Sequence, residues 1–320
     1  AVTGVQTCAL PISALDEVTR LDPRYPGLSV EQGFLMELSG QIEDALKAYE
    51  KVLAENPDDL TAKTRAAAAS LYQKKYDRAK ELLVDVLNQN PDSADGNFYM
   101  GEIFRQERSG ADAIPYLKNA CDLDPHNPLY HVRYGAALAL VHDVPRAMME
   151  YQKAIELDPK IAEIYLRIGE LRLQSGAARD AITQLEKALA LDPKIENAHL
   201  LIGQSYEELA DLKAAADYYR QATISFPDNP DAFYRTGLSA MRTSGHKAAI
   251  PSLKTAVRLA QAQVIKPVWL PEALYHLGAA LKSTGDKRSA IDVFRTYLTV
   301  APEDAIDRKE VQASLDDMLY

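Results

Sequence analysis

Prolines stand at residues 23, 57, 91, 125, 159, 193 and 227, each 34 residues after the one before. Proline lacks an amide hydrogen and its ring crowds the preceding turn, so each of these ends the helix before it. A period of this length marks one supersecondary unit copied many times, because stacked copies bury faces that a single copy leaves wet. The unit reads most clearly in Ala162 to Ile195, AEIYLRIGELRLQSGAARDAITQLEKALALDPKI. Two helices are predicted there, parted at Ser175-Gly176 and closed by Leu191-Asp192-Pro193. Tyr165, Ile168 and Arg172 recur at i, i+3 and i+7, and Ala181, Leu185 and Ala188 at i, i+4 and i+7. Each helix therefore carries one stripe for burial. Gly169 and Ala181 lack bulk, which predicts a close antiparallel crossing.

With the proline set as position 32 of the unit, position 8 is Gly33, Ala67, Gly101, Gly135, Gly169, Gly203, Gly237 and Gly278. Position 20 is Ala45, Ala79, Ala113, Ala147, Ala181, Ala215, Ala249 and Ala290, alanine in every copy. Position 27 is Val52, Val86, Ala120, Ala154, Ala188, Ala222, Ala256 and Tyr297. Small residues at these places, a closing proline and a 34-residue helix–turn–helix unit resemble the tetratricopeptide repeat. The resemblance implies an all-α, right-handed α-solenoid of stacked helix-turn-helix repeats whose first helices line a concave side.

Eight units occupy 26–304, with one insertion at 264–270 that holds the sole tryptophan, Trp269. The insertion is expected to lengthen a helix and to pack Trp269 on the neighbouring unit. Pro115 and Pro251 fall near the start of second helices, where an irregular first turn is expected. Residues 305–320 read as a capping helix begun by Asp304, with Val311, Leu315, Met318 and Leu319 on one face. Residues 13–25 read as the second helix of a partial repeat, through Leu15, Val18 and Leu21. Residues 2–12 match an in-frame translation of a common short-read sequencing adapter, so 1–12 are set aside as an artefactual tail. The native chain is then expected to extend upstream of Ser13.

A formal charge of −10 argues against a nucleic-acid partner, which asks for a basic footprint. No apolar run approaches the roughly 18 residues of a membrane span. No strand pattern or phosphate-cradling loop is visible, and the six histidines form no paired zinc motif on one helix. His126 and His131 read as solvated surface residues, and Cys121 as a small buried thiol on a second helix. No catalytic residue, cofactor or metal ion is expected.

The remaining expectation is a groove. The resemblance implies that positions 2, 5, 9, 12 and 13 of each unit meet a ligand. Position 5 gives Val30, Thr64, Phe98, Val132, Leu166, Leu200, Tyr234 and Tyr275, an apolar and aromatic ridge. Position 6 supplies a row of guanidinium groups at Arg65, Arg133, Arg167 and Arg235. Tyr72, Tyr99, Glu102, Arg105, Glu170, Gln174, Gln204, Arg242 and Lys282 share the face. The expected partner is a protein or peptide, extended or helical, with apolar anchors on the ridge and carboxylates against the arginines. Position 9 contains no asparagine, so the carboxylate clamp of chaperone-tail receptors is not expected. These features predict a non-catalytic interaction scaffold, or else an accessory segment of a larger enzyme or secretion-assembly protein.

Overall fold

The computed structural model describes residues 28–319. The adapter-like tail and the partial repeat at 13–25 lie outside the described residues. Seventeen helices and no strand occur among those residues. They are α1 Leu28–Leu38, α2 Ile42–Glu55, α3 Leu60–Tyr72, α4 Tyr76–Gln89, α5 Ala94–Gln106, α6 Gly110–Leu123, α7 Pro128–Leu140, α8 Val144–Leu157 and α9 Ala162–Gln174. There follow α10 Ala178–Leu191, α11 Ala198–Glu208, α12 Leu212–Ser225, α13 Pro230–Ser244, α14 His246–Ala262, α15 Leu270–Ser283, α16 Lys287–Val300 and α17 Arg308–Leu319. The chain divides into two compact units, one ending at Ile164 and the other beginning at Tyr165. Within each, first and second helices pair as hairpins and successive hairpins stack, the tetratricopeptide-like solenoid arrangement.

The hairpin turns are local chemistry. Gly176 takes φ +75°, and the amide of Ala177 reaches back 2.9 Å to the Arg172 carbonyl, closing the end of α9. Such a left-handed residue suits glycine, because a Cβ there crowds the next carbonyl. Lys74, Arg108, His142 and Ala210 hold the same turn at φ values of 59–63° without that freedom. Aspartate, serine or asparagine side chains accept the first free amides of several helices, as Asp59 does from Ala62 at 2.9 Å and Ser93 from Gly96 at 3.0 Å.

Packing within each hairpin turns on two positions sixteen residues apart. A Cβ built on Gly169 would stand 2.6 Å from Cγ of Leu185. On Gly203 it would stand 2.5 Å from the Tyr219 ring, and on Gly135 2.7 Å from the Tyr151 ring. Tyr49, Leu117, Leu253 and Phe294 cover Gly33, Gly101, Gly237 and Gly278 in the same way. The position-8 glycine is thus the seat of the large position-24 side chain, and Tyr49, Tyr151, Tyr219, Leu117, Leu185 and Leu253 are all fully buried. In the second hairpin the corresponding residues are Ala67 and Leu83, and both are fully buried.

Several expectations change in the structure. First helices bury more than a stripe, because they pack between their own second helix and the one before. On α7, Tyr130, His131, Val132, Tyr134, Ala136, Ala137 and Leu138 are all buried. Arg172, placed on the buried stripe of α9, is exposed, while Ile164, Ile168 and Leu171 are buried. α14 is lengthened to 17 residues, but the insertion after it is an open loop in which Val264, Ile265 and Val268 lie bare. Trp269 stacks on Tyr234 of the neighbouring hairpin, with centroids 4.4 Å apart and planes within 4°, and its indole donates to Asp231 at 2.5 Å. Asp304 does not cap the last helix, which starts at Arg308. Its face is Val311 and Leu315, with Leu319 turned outward. Pro115 and Pro251 each lie sixth in an unbroken helix. Each omits the amide that would bond to the carbonyl four residues back, Ala111 or Lys247, one of the first bonds inside the helix.

Gly169→Leu should overfill the seat of Leu185 and cost about 1–3 kcal/mol. The check is chemical denaturation followed by circular dichroism, with a midpoint lowered against wild type.

Candidate functional site

The first helices carry the candidate face, and the position-5 ridge lies beneath its surface. Phe98, Leu166, Leu200 and Tyr234 are buried, and Val132 has no exposed surface. Phe98 stacks on Tyr130 at 4.8 Å and meets the Tyr99 edge at 5.1 Å, so the aromatic side chains hold neighbouring first helices together. This departs from the expectation of open apolar anchors. The reason is the same double-sided packing that buries most of α7. Tyr275 is half-buried and donates to Glu310 at 3.1 Å, and Tyr72, at the end of α3, is well exposed.

The arginine row is also engaged. In the first unit Arg133 spans three hairpins, with Nη1 2.6 Å from Glu163 and Nε 3.5 Å from Glu102. Glu102 in turn accepts two bonds from Arg105, at 2.6 and 2.7 Å, and one from Gln106 at 3.0 Å. Burial alone would raise the Glu102 carboxyl, but the hydrogen bonds and charges of Arg105 and Arg133 outweigh it and hold the group below the usual range. Arg65 sits 4.5 Å above the Phe34 ring and 3.8 Å from Glu37. In the second unit Arg167 pairs with Glu170 at 3.0 Å, and Glu207 collects Arg242 at 2.5 Å, Arg235 at 3.9 Å and the Tyr219 hydroxyl. Lys282 reaches Asp317 at 3.6 Å. These cations are held by the chain's own carboxylates and are not presented bare to a ligand.

The second unit contains an open cavity of about 500 Å³ formed by the 165–174 part of α9 together with α11 and α13. Glu170, Gln174, Gln204, Glu207, Glu208 and Arg235 supply its polar lining, and Leu173 and Leu201 its floor. Leu200 and Asp231 line its shallower continuation. Of its three carboxylates, Glu170 pairs with Arg167 and Glu207 with Arg235 and Arg242, while Glu208 stands exposed at its edge.

His131 was expected in solvent and is buried. Its Nδ1 lies 2.6 Å from Glu150 and its Nε2 3.1 Å from the Pro125 carbonyl, and Cys121 adjoins both side chains. The three residues sit on α6, α7 and α8, separated by ten and nineteen residues, and no motif on one helix announces them. His126 is exposed, as read.

Tetratricopeptide-repeat profiles match residues 38–97, 166–230 with 200–264, and 271–304, together more than half of the chain. The chain belongs to the tetratricopeptide repeat family. Repeats of this family typically mediate protein–protein contacts, and no enzymatic domain is identified. No curated protein sequence matches. Among solved structures it is similar to the Cut9–Hcn1 hetero-tetramer of the APC/C, with a TM-score of 0.69 and 16% identity over 84% of this chain and 52% of that one. It also resembles PilF of Pseudomonas aeruginosa, with a TM-score of 0.55 and 19% identity over 64% of this chain and 93% of that one. The chain spans about half the length of its Cut9–Hcn1 match. At these identities the likeness is one of fold. Among the described residues, no helix of this tetratricopeptide repeat protein is long and apolar enough to cross a membrane.

Arg133→Ala should strip Glu102 and Glu163 of a charged partner and cost about 1–3 kcal/mol, read as a lower denaturation midpoint with helicity kept. Acid should act through the same group. Glu102 has a folded pKa below its unfolded value, so its contribution is present above the ordinary carboxylate pKa of about 4.3 and is lost as pH falls through the folded value. Glu37, raised first by burial, works in the opposite direction. Melting curves between neutral pH and about pH 3 should show Glu102→Gln losing less stability than wild type.

Proposed function

We propose that this protein is a non-catalytic scaffold that holds a peptide segment of a protein partner in the groove formed by 165–174, α11 and α13. The observation that carries the proposal is the open cavity of about 500 Å³ in that unit, with the exposed carboxylate of Glu208 at its edge. That carboxylate favours a lysine or arginine side chain, since charge-assisted hydrogen bonds are about twice as strong as neutral ones. Glu208 is exposed at the end of α11 and open to such a ligand, while Glu170 and Glu207 are held by Arg167, Arg235 and Arg242. The Gln174 and Gln204 amides both donate and accept, which suits the main chain of an extended peptide. Leu173 and Leu201 give a short apolar contact. The buried position-5 residues support this lining from behind. A polar, basic segment fits the surface better than an acidic one with large apolar anchors.

The test is fluorescence anisotropy with matched basic, neutral and acidic peptides on the full chain. Basic peptides should bind most tightly, and Glu170→Gln/Glu208→Gln should weaken them about tenfold, or about 1.4 kcal/mol. Preference for acidic peptides, or an unchanged affinity in the double variant, would contradict the proposal.

A further inference from the structure

We propose that Cys121, His131 and Glu150 of the first unit form a binding site for one divalent transition-metal ion of the zinc type. Three residues of different ligand chemistry converge there, and their donor atoms all lie within 4.8 Å of one another. All three are buried, at 6%, 5% and 8% exposure. Zinc binds thiolate at about 2.3 Å, imidazole at about 2.0–2.1 Å and carboxylate at about 2.0–2.2 Å. Closing the donors around one ion requires the Nδ1–Oε2 pair, now 2.6 Å apart, to open by less than about an ångström, and any donor pair near the 4.8 Å limit to draw in by about an ångström, movements of side-chain size.

The surroundings are arranged as an outer shell. A carbonyl only accepts, so the Pro125 contact places a hydrogen on His131 Nε2 and turns Nδ1 toward Glu150 and Cys121. A ligating histidine ordinarily has its second nitrogen fixed in this way. Lys153 donates to the other Glu150 oxygen at 2.9 Å, orienting the carboxylate.

Charge balance supports occupancy. Ligation takes Cys121 as its thiolate, so the thiol proton leaves when the ion binds. A further proton lies between Nδ1 and Oε2. Binding one M²⁺ would displace both protons and leave thiolate, neutral imidazole and carboxylate around the ion. Thiolate and carboxylate together balance the two charges of the ion, so its burial leaves no uncompensated charge. Water would take the fourth position.

Repetition supplies an internal comparison. The equivalent positions at other hairpin junctions read Leu53, Lys63 and Leu82, then Leu87, Asn97 and Tyr116, and in the second unit Leu189, His199 and Tyr218. Only the 121–131–150 junction has a metal-ligating side chain at all three places.

The experiment uses the full chain with Cys8→Ser, so that any thiolate signal reports Cys121. Zn²⁺ and Co²⁺ are titrated into chelator-treated protein, followed by calorimetry, Co²⁺ absorption and thermal melting. One equivalent should bind, with a Co²⁺–thiolate charge-transfer band, release of two protons and a raised melting temperature. Cys121→Ser should abolish the band, and His131→Gln and Glu150→Gln should each weaken Zn²⁺ at least tenfold; circular dichroism confirms that each variant is folded. Absence of the band in the parent, or Zn²⁺ affinity unchanged in the folded Cys121→Ser variant, would overturn the proposal.

Discussion

The structure depends on one contact made again in every hairpin: a large side chain of the second helix seated on a residue of the first that has almost no side chain. Leu185 on Gly169 and Tyr219 on Gly203 are two versions of it, one branched and one flat. The seat lets the two helices approach closely and fixes their relative height, because the large side chain fits only where the glycine is. Close helix packing then carries the neighbouring small residues, alanine at position 20, into full burial. The alanine-rich second hairpin shows how much the seat can vary, since Ala67 and Leu83 are both buried without a glycine.

What the seat does within a hairpin, a polar and aromatic layer does between hairpins. Arg133 bridges Glu102 and Glu163, Phe98 stacks on Tyr130, and Trp269 covers Tyr234. Within each unit the first task of these residues is to join successive repeats. A groove so supported is preorganised, and its lining amides and carboxylates need little ordering when a ligand arrives. Removing a supporting residue would therefore alter stability, whereas removing Glu208 at the rim would leave that support in place.

Much of the fold is legible in the sequence because its determinants are local and repeated. The prolines end helices, Gly176 makes a turn that needs a left-handed residue, and position 8 is small wherever position 24 is large. Burial of the position-5 ridge was less legible. A periodic stripe assumes one buried face, but a first helix inside a stack has neighbours on two sides, which is why Val132 disappears from the surface and Arg172 remains on it. The fate of the arginines depended on where Glu102, Glu163 and Glu207 come to lie, all of them in adjoining hairpins. His131 was the hardest to read, since its partners come from two other helices and only the register of stacking brings Cys121, His131 and Glu150 together.

The central claim is that the glycine and the residue seated on it act as one unit. A double-mutant cycle of Gly203→Ala, Tyr219→Ala and both together, measured by denaturant unfolding, tests this most directly, because Tyr219→Ala removes the ring that a Cβ on residue 203 would meet at 2.5 Å. The account predicts strong coupling, with the Gly203→Ala penalty largely absent once Tyr219 is alanine, an interaction of about 1 kcal/mol or more. Simple additivity of the two penalties would contradict it.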